Sequence, residues 1–345
     1  MSIRIAVIEG DGIGREVIPA AIGVVRELGL GLEFDPVDVC AERFIQTGEA
    51  LPGDTFRRLE SADAILLGAI GDPRIADPAY TAQTLGRIRG ELDLYANVRP
   101  ARLLDDRLSP LRDPARRSAD MIVVRENTEG LYTGLGGRCR PGTEREVAIQ
   151  EHVSTYQGVS RVIGYAFSIA RSQVVMADKW NAMPHAGALW QRCWREARAA
   201  HPAVAARHMA IDACALHMLQ APADFDVIVT ENCFGDILSD IAGGLVGGVG
   251  LSPSANLNAE TGRAMFEPVH GSAPGIAGTG RANPVAAILT CALMLRHLGF
   301  AGEALAVESA VAGAVQAAEC TADIGGRLST EQAAAAVAKR LGERC

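Results

Sequence analysis

Two aspartates four residues apart, Asp236 and Asp240, lie in TENCFGDILSDIAGGLVGGVG (230–250). Ile237, Leu238, Ile241, Leu245 and Val246 supply a helical apolar pattern, and on it this spacing puts both carboxylates on one face about one turn apart. A carboxylate pair facing a cleft suits a hard divalent cation. Short acids near a helix start also act as caps and dipole partners, so the pair alone leaves both readings open. Scarcity is a second chemical signal. Of 33 Lys plus Arg residues only Lys179 and Lys339 are lysine, leaving 31 arginines. A lysine kept against that bias can lose its proton near neutral pH, which a guanidinium cannot. Lys339 falls in a polar C-terminal helix, whereas Lys179, in VVMADKWNAMP, stands between an apolar run and a polar turn.

The segment TAQTLGRIRGELDLYANVRP (81–100) gathers Arg87, Arg89 and Arg99. Forked guanidinium groups are the usual holders of a polycarboxylic acid. In so arginine-rich a chain, three solvated surface residues are the competing reading. Met121–Arg125 reads as a strand running into ENTEGLY. Arg125 and Tyr132 therefore sit at or beyond a strand end, where open α/β sheets place their ligands.

The elements that must position these groups alternate along the chain. IRIAVI reads as a buried strand, followed by a glycine turn and an amphipathic helix. Gly10, Gly12 and Gly14 are spaced GxGxG and then meet Arg15, which is not the dinucleotide fingerprint; the spacing fits a tight turn with close backbone approach. Ala62–Gly68 is a further strand, residues 133–154 a protruding hairpin or arm, and Thr155–Ser172 an amphipathic helix. Strand Gln173–Ala177, a helix near His185–Ala199, a short strand around Met209–Ile211 ending at Asp212, and strand Phe225–Thr230 lead to the aspartate helix. Residues 247–284 read as a long functional loop. Val285–Leu298 reads as a buried helix, and in the helical remainder Ser329–Gln332 matches a capping box. Strands alternating with helices indicate an α/β protein with a parallel or mixed sheet.

The 345 residues, 48% hydrophobic and 21% charged, allow two domains or one large one. A net charge of −8 with no basic cluster argues against nucleic acid as a partner. The longest apolar runs, such as Val285–Leu295, are too short to span a bilayer, so no membrane association and a cytoplasmic location are expected. Eight cysteines, at 40, 139, 193, 214, 233, 291, 320 and 345, form no CxxC pair and are expected to be reduced.

Together these motifs resemble the β-decarboxylating dehydrogenases that act on malate derivatives: the isocitrate, isopropylmalate, homoisocitrate and tartrate enzymes. The resemblance is carried in order by GDGIG (10–14), LDLYANVRP (92–100), VRENTEGLY (124–132), DKWN (178–181), IDACALHM (211–218), GDILSD (235–240) and FEPVHGSAP with GxGxANP (266–284). It implies a two-domain fold with a large mixed sheet, distinct from the Rossmann fold. Residues 1–97 and 249–345 would form a cofactor-side domain, and 98–248 a central domain bearing the dimer interface, the arm and the metal site. By that similarity Arg89, Arg99 and Arg125 bind substrate carboxylates, and Asp236 and Asp240 hold Mg2+ or Mn2+. Asp212, as a third ligand, and the base Lys179 come from the second subunit of a homodimer, while Tyr132 is the proton donor to carbon. Asn181 lies near the nicotinamide. Glu267, His270, Gly271, Ser272, Ala273, Pro274, Gly275, Ile276 and Asn283 form the cofactor site.

Two departures from the family pattern bear on specificity. Gly275 and Ile276 stand where many NAD-dependent relatives have an acidic residue and some NADP-dependent ones a Lys-Tyr pair; NAD is expected in preference to NADP, with Arg281 the one contrary sign. The region that receives an isopropyl group in isopropylmalate enzymes keeps only Leu85 as an apolar residue and adds Arg87. A polar or anionic arm on a small-molecule hydroxy polyacid, as in isocitrate, homoisocitrate or a phosphonate analogue, is therefore the expectation. 3-Isopropylmalate and tartrate or D-malate are the alternatives, and a regulatory subunit of the same fold the non-enzymatic one.

Overall fold

The computed structural model describes residues 2–342. The chain opens with β1 (Ile3–Gly10), α1 (Gly14–Arg26), β2 (Leu32–Pro36), α2 (Ala41–Thr47), α3 (Gly53–Glu60) and β3 (Ala64–Ala69). Then come α4 (Ala79–Thr81), a π-helical turn over Ala82–Gly86, α5 (Arg87–Glu91), β4 (Ala96–Arg102) and β5 (Asp120–Glu126). The middle continues with β6 (Gly136–Cys139), β7 (Val147–Gln150), α6 (Tyr156–Ile169), β8 (Gln173–Asp178), α7 (Pro184–Ala200), β9 (Ala205–Ala210), α8 (Ile211–Gln220), β10 (Val227–Thr230) and α9 (Asn232–Leu245). β11 (Pro253–Leu257), β12 (Ala264–Pro268), α10 (Val285–His297), α11 (Ala301–Gln316) and α12 (Thr330–Gly342) complete it.

Ten strands form one mixed sheet in the order β2-β1-β3-β12-β11-β4-β5-β10-β8-β9. Two parallel blocks flank an antiparallel centre, β12-β11-β4-β5. The order is not that of a dinucleotide-binding Rossmann sheet. One large core beneath α1, α10, α11 and α12 is drawn almost wholly from the two chain ends. Two others, on opposite faces of β5, β8 and β10, come from the middle of the chain. The expected arm is an exposed hairpin of β6 and β7.

Local signals behave as their chemistry requires. Ser329 and Gln332 close a reciprocal capping box, Ser329 N–H donating to Gln332 Oε1 at 3.0 Å and Gln332 N–H to Ser329 Oγ at 3.2 Å. Gly12 has φ +51°, and a Cβ there would stand 2.0 Å from the Ser272 carbonyl oxygen, so the glycine turn does serve close backbone approach. Two expectations need correction. The strand placed near 209–211 is Ala205–Ala210, and Asp212 lies in the first turn of α8 rather than at a strand end. Residues 247–284 are no simple loop, because β11 and β12 lie inside them as central strands. The seven described cysteines are free; Cys345 lies outside the described residues. Among the described residues no helix is long and apolar enough to cross a membrane.

Candidate active site

Register brings the chemistry together. In the β5-β10-β8 block Thr230 pairs with Arg125 on one side and with Ala177 on the other, so three strands end in one row. Beyond that row lie the turn to Tyr132, the start of α9 and the Lys179 turn. The carboxyl ends of parallel strands are where open α/β sheets bind ligands.

Helix α9 begins cleanly because Glu231 accepts from the Cys233 and Phe234 amides at 3.0 and 2.7 Å. It lies close on β5 because Gly235 has no side chain: a Cβ there would be 2.5 Å from Arg125 Cβ. That approach carries Asp236 to the arginines. Arg125 Nη1 donates to Asp236, and its Nε donates to Asn232 Oδ1 at 2.8 Å. Arg99 Nη1 donates to Asp236 Oδ1 at 3.2 Å and to Ser239 Oγ at 2.7 Å. Tyr132 donates to Asp236 Oδ2 at 3.3 Å, and the Arg125 guanidinium lies 5.4 Å from the centre of its ring. Arg89, in α5, donates to Glu267 Oε1 at 2.7 Å, while its own Nε is buried without a partner.

Electrostatics follow from burial. Burial lowers the pKa of Arg99 and takes that of Arg125 to about 10, with Arg89 adding repulsion to both. Asp236 is held below the usual carboxylate range although burial opposes it, because Arg125 and Arg99 outweigh the desolvation. Asp240, exposed one turn on, shifts up through desolvation and the Asp236 charge, with Arg99 opposing. Tyr132 is pushed up to about 12 by burial and by Asp236.

Lys179, just past the end of β8, and Asp212, in the first turn of α8, form a separate pair, Nζ to Oδ1 2.6 Å. Asp212 is exposed, and among the described residues no group of three or more metal-competent side chains exists within one chain. Asp178 fixes the Lys179 turn by accepting from Gln191 Nε2 at 2.9 Å, with His208 Nε2 2.8 Å away. Asn181 lies exposed in the same turn.

In the expected cofactor loop, Ile13 N–H donates to the Ser272 carbonyl at 2.9 Å. Ala273 adopts φ +40°, a left-handed conformation rare for alanine. Gly271, Pro274 and Gly275 are exposed, and Ile276 packs on the main core. His270 is buried with Nε2 unpartnered, and burial lowers its pKa. A cavity of about 380 Å3 runs past Pro274, Ala277 and Gly278 and is lined by Asp11, Glu16, Glu42 and Asp72 against Arg15.

Three of the expected residues are engaged within the chain itself. Arg87 Nη1 donates to the Leu51 carbonyl at 2.7 Å and its Nε to Glu91 at 2.7 Å, and its guanidinium sits 4.8 Å from the Phe56 ring centre. Glu267 spends its buried carboxylate on Arg89 and Asn256 rather than facing the loop. Asn283 caps α10 through Val285 N–H and donates to Asp323, so its amide is already engaged. Sequence reasoning missed Ser239, Asn232 and Asn97, which orient the arginines; Asn97 was visible as the residue two before Arg99 on the same strand face.

A large mixed sheet with arginines and carboxylates gathered at its strand ends marks the chain as an α/β protein with its candidate site at the strand ends. The isocitrate/isopropylmalate dehydrogenase family matches residues 4–337, and the chain belongs to it. It is an oxidoreductase of the β-decarboxylating dehydrogenase class, acting on a CH–OH donor. A 3-isopropylmalate dehydrogenase of Rhodococcus erythropolis is 47% identical over 315 residues, covering 90% of this chain and 93% of that protein. The 3-isopropylmalate dehydrogenase of Thermobifida fusca is 42% identical and covers 99% of each chain. The crystal structure of isocitrate dehydrogenase from Methylococcus capsulatus superimposes with a TM-score of 0.91 at 34% identity, covering 98% of this chain and 99% of that one.

Proposed function

We propose that this chain oxidises and decarboxylates a 3-substituted malate with an apolar arm, 3-isopropylmalate, using NAD and Mg2+ or Mn2+. The observation that carries the reading is the convergence of Arg99, Arg125 and Tyr132 on Asp236. The polar-arm expectation loses its support because Arg87 is committed to Leu51 and Glu91, while Leu85 lies half-buried against the core that includes Ile88 and Leu92. The similar proteins named 3-isopropylmalate dehydrogenase support the same substrate.

Asp236 and Asp240 fit a hard cation as an all-oxygen pair, with Asp212 of a second copy as the third carboxylate. A bound Mg2+ or Mn2+ would supply Lewis-acid polarisation of the substrate oxygen, and a bound nicotinamide would supply the hydride acceptor. Arg89, Arg99 and Arg125 hold the two substrate carboxylates by charge-assisted forks. Lys179 takes the hydroxyl proton, and Tyr132 protonates the carbon left when carbon dioxide departs. The unpartnered His270 Nε2 and the close approach of Gly12 to Ser272 fit a loop built to receive a dinucleotide. Four acids around the adjoining cavity disfavour an added 2'-phosphate, supporting NAD over NADP.

A second copy of the chain fits the exposed apolar residues Leu216 and Leu219 on α8 and Ile237 on α9, with Leu135, Val147 and Ile149 on the arm. We read residues 1–97 and 249–345 as one domain and 98–248 as the other, in line with the separate cores. The test is a panel of 3-substituted malates with alkyl, carboxylate and phosphonate arms, assayed with each cofactor by reduced nicotinamide formed. Highest kcat/KM for the isopropyl arm with NAD is expected; preference for an anionic arm or for NADP overturns that part of the assignment.

A further inference from the structure

Between Arg89 and Arg99 runs an unbroken line of buried side chains. Arg99 Nε donates to Asn97 Oδ1 at 3.1 Å, and Asn97 Nδ2 donates to Asn256 Oδ1 at 3.0 Å. Asn256 Nδ2 then donates to Glu267 Oε1 at 2.8 Å, the oxygen that also accepts from Arg89 Nη2 at 2.7 Å. Asn127 braces the centre, donating to Asn256 Oδ1 and to the Leu94 carbonyl, each at 2.9 Å. Asn97 and Asn256 are wholly buried, paired opposite each other on β4 and β11.

Such a line is costly unless complete, because each buried amide or carboxylate left unpaired loses its hydration without return. Here Asn256 is fully engaged, its second amide hydrogen going to the Met265 carbonyl at 3.2 Å. The Glu267 carboxylate stays ionised: burial opposes this, but Arg89 and Asn256 hold its pKa low. The two arginines belong to different parts of the fold, Arg89 to the short helix α5 and Arg99 to the central strand β4. Direct contact between them would be repulsive. A neutral amide bridge ending in one carboxylate can fix their separation while neutralising only one of them.

We infer that Asn97, Asn256 and Glu267 are positioning residues that set the spacing of Arg89 and Arg99 for a dicarboxylate substrate. This rests on the reading of those arginines as substrate ligands. The line acts as one device because each amide holds the next in a single orientation. Breaking it at any point uncouples the two guanidinium groups, although Asp236 and Ser239 still hold Arg99, and weakens substrate binding, with no consequence for the cofactor site.

The test is steady-state kinetics on Asn97→Ala, Asn256→Ala and the double variant, with Arg99→Gln as reference and thermal melting as the folding control. Each single change is expected to raise KM for the hydroxy acid about tenfold, leaving KM for NAD within about twofold. The double variant is expected to be no worse than the worse single one, since a broken line cannot break twice. Glu267→Ala, which removes the oxygen shared by Arg89 and Asn256 and so breaks the line, gives the same selective rise and carries the test should Asn256→Ala not fold. Effects that multiply in the double variant, or that move both KM values together, overturn the inference. If Arg99→Gln leaves KM for the hydroxy acid unchanged, the substrate reading of the arginines falls and the inference with it. If Arg99→Gln raises that KM and the asparagine variants do not, only the positioning device is wrong.

Discussion

In the proposed mechanism Lys179 is the base on which oxidation turns. Its ammonium pairs with Asp212, and the turn is held by Asp178 and by the Lys179 backbone carbonyl, which accepts from the Ala182 and Met183 amides, not by the lysine side chain. Lys179→Met is therefore expected to leave the melting temperature within about 2 °C while reducing oxidation at least a thousandfold, as loss of a positioned base does. Turnover near wild type would remove Lys179 from the mechanism. The rarity of lysine singled this residue out in the sequence, and the order of motifs singled out Arg89 and Asp240 together with Arg99, Arg125, Tyr132 and Asp236, the four that the structure brings into contact. The expectation for Arg87 drew on its nearness in sequence to Arg89. Two residues apart on a helix, Arg87 and Arg89 point in different directions, and the structure sends one to Phe56 and the other to Glu267.

Among the elements, the helices with one apolar face, α1, α6 and α7, and the continuously apolar strand β1 were plain in the sequence and fall close to where pattern puts them. Helix α8 was hidden because it is apolar on both sides, with Cys214 and Met218 inside and Leu216 and Leu219 outside. β11 and β12 were hidden for a different reason. Their Ser254, Asn256 and Glu267 are buried but polar, so the positioning line that crosses the sheet looks like loop composition. The turn into β8 offers a test of polar clamping at this scale. Asp226 accepts from the backbone amides of Arg171, Ser172 and Gln173 at 2.7, 2.6 and 3.2 Å. Burial works against its ionisation, yet the Ser172 and Gln173 amides and the Arg171 side chain hold its pKa below the ordinary value. A depressed folded pKa means the contribution is complete above the ordinary carboxylate range and is lost as pH falls through the folded value. Asp226→Asn should cost about 2 kcal/mol at neutral pH by denaturant titration, the deficit shrinking below about pH 4. A deficit independent of pH would show that the charge does not matter.

At the scale of the whole molecule, one sheet serves two purposes. Its antiparallel centre carries Arg99 and the asparagine line, and its parallel block ends in Arg125, α9 and the Lys179 turn. Yet Lys179 and Asp212 make no hydrogen bond or ion pair with the arginine and aspartate cluster among the described residues of one chain. A second copy, seated on the apolar faces of α8 and α9, would bring them together, so that each active site takes its arginines and Asp236 from one chain and its lysine from the other. Mixed dimers test this most directly. Lys179→Met and Asp236→Asn chains, differently tagged, are each expected to be inactive alone. Co-expressed, they should recover about a quarter of the wild-type rate, because half of the dimers carry one intact site. The recovered activity should co-purify with both tags. Properly mixed dimers that remain inactive would contradict a shared site and place both residues in the same chain's chemistry.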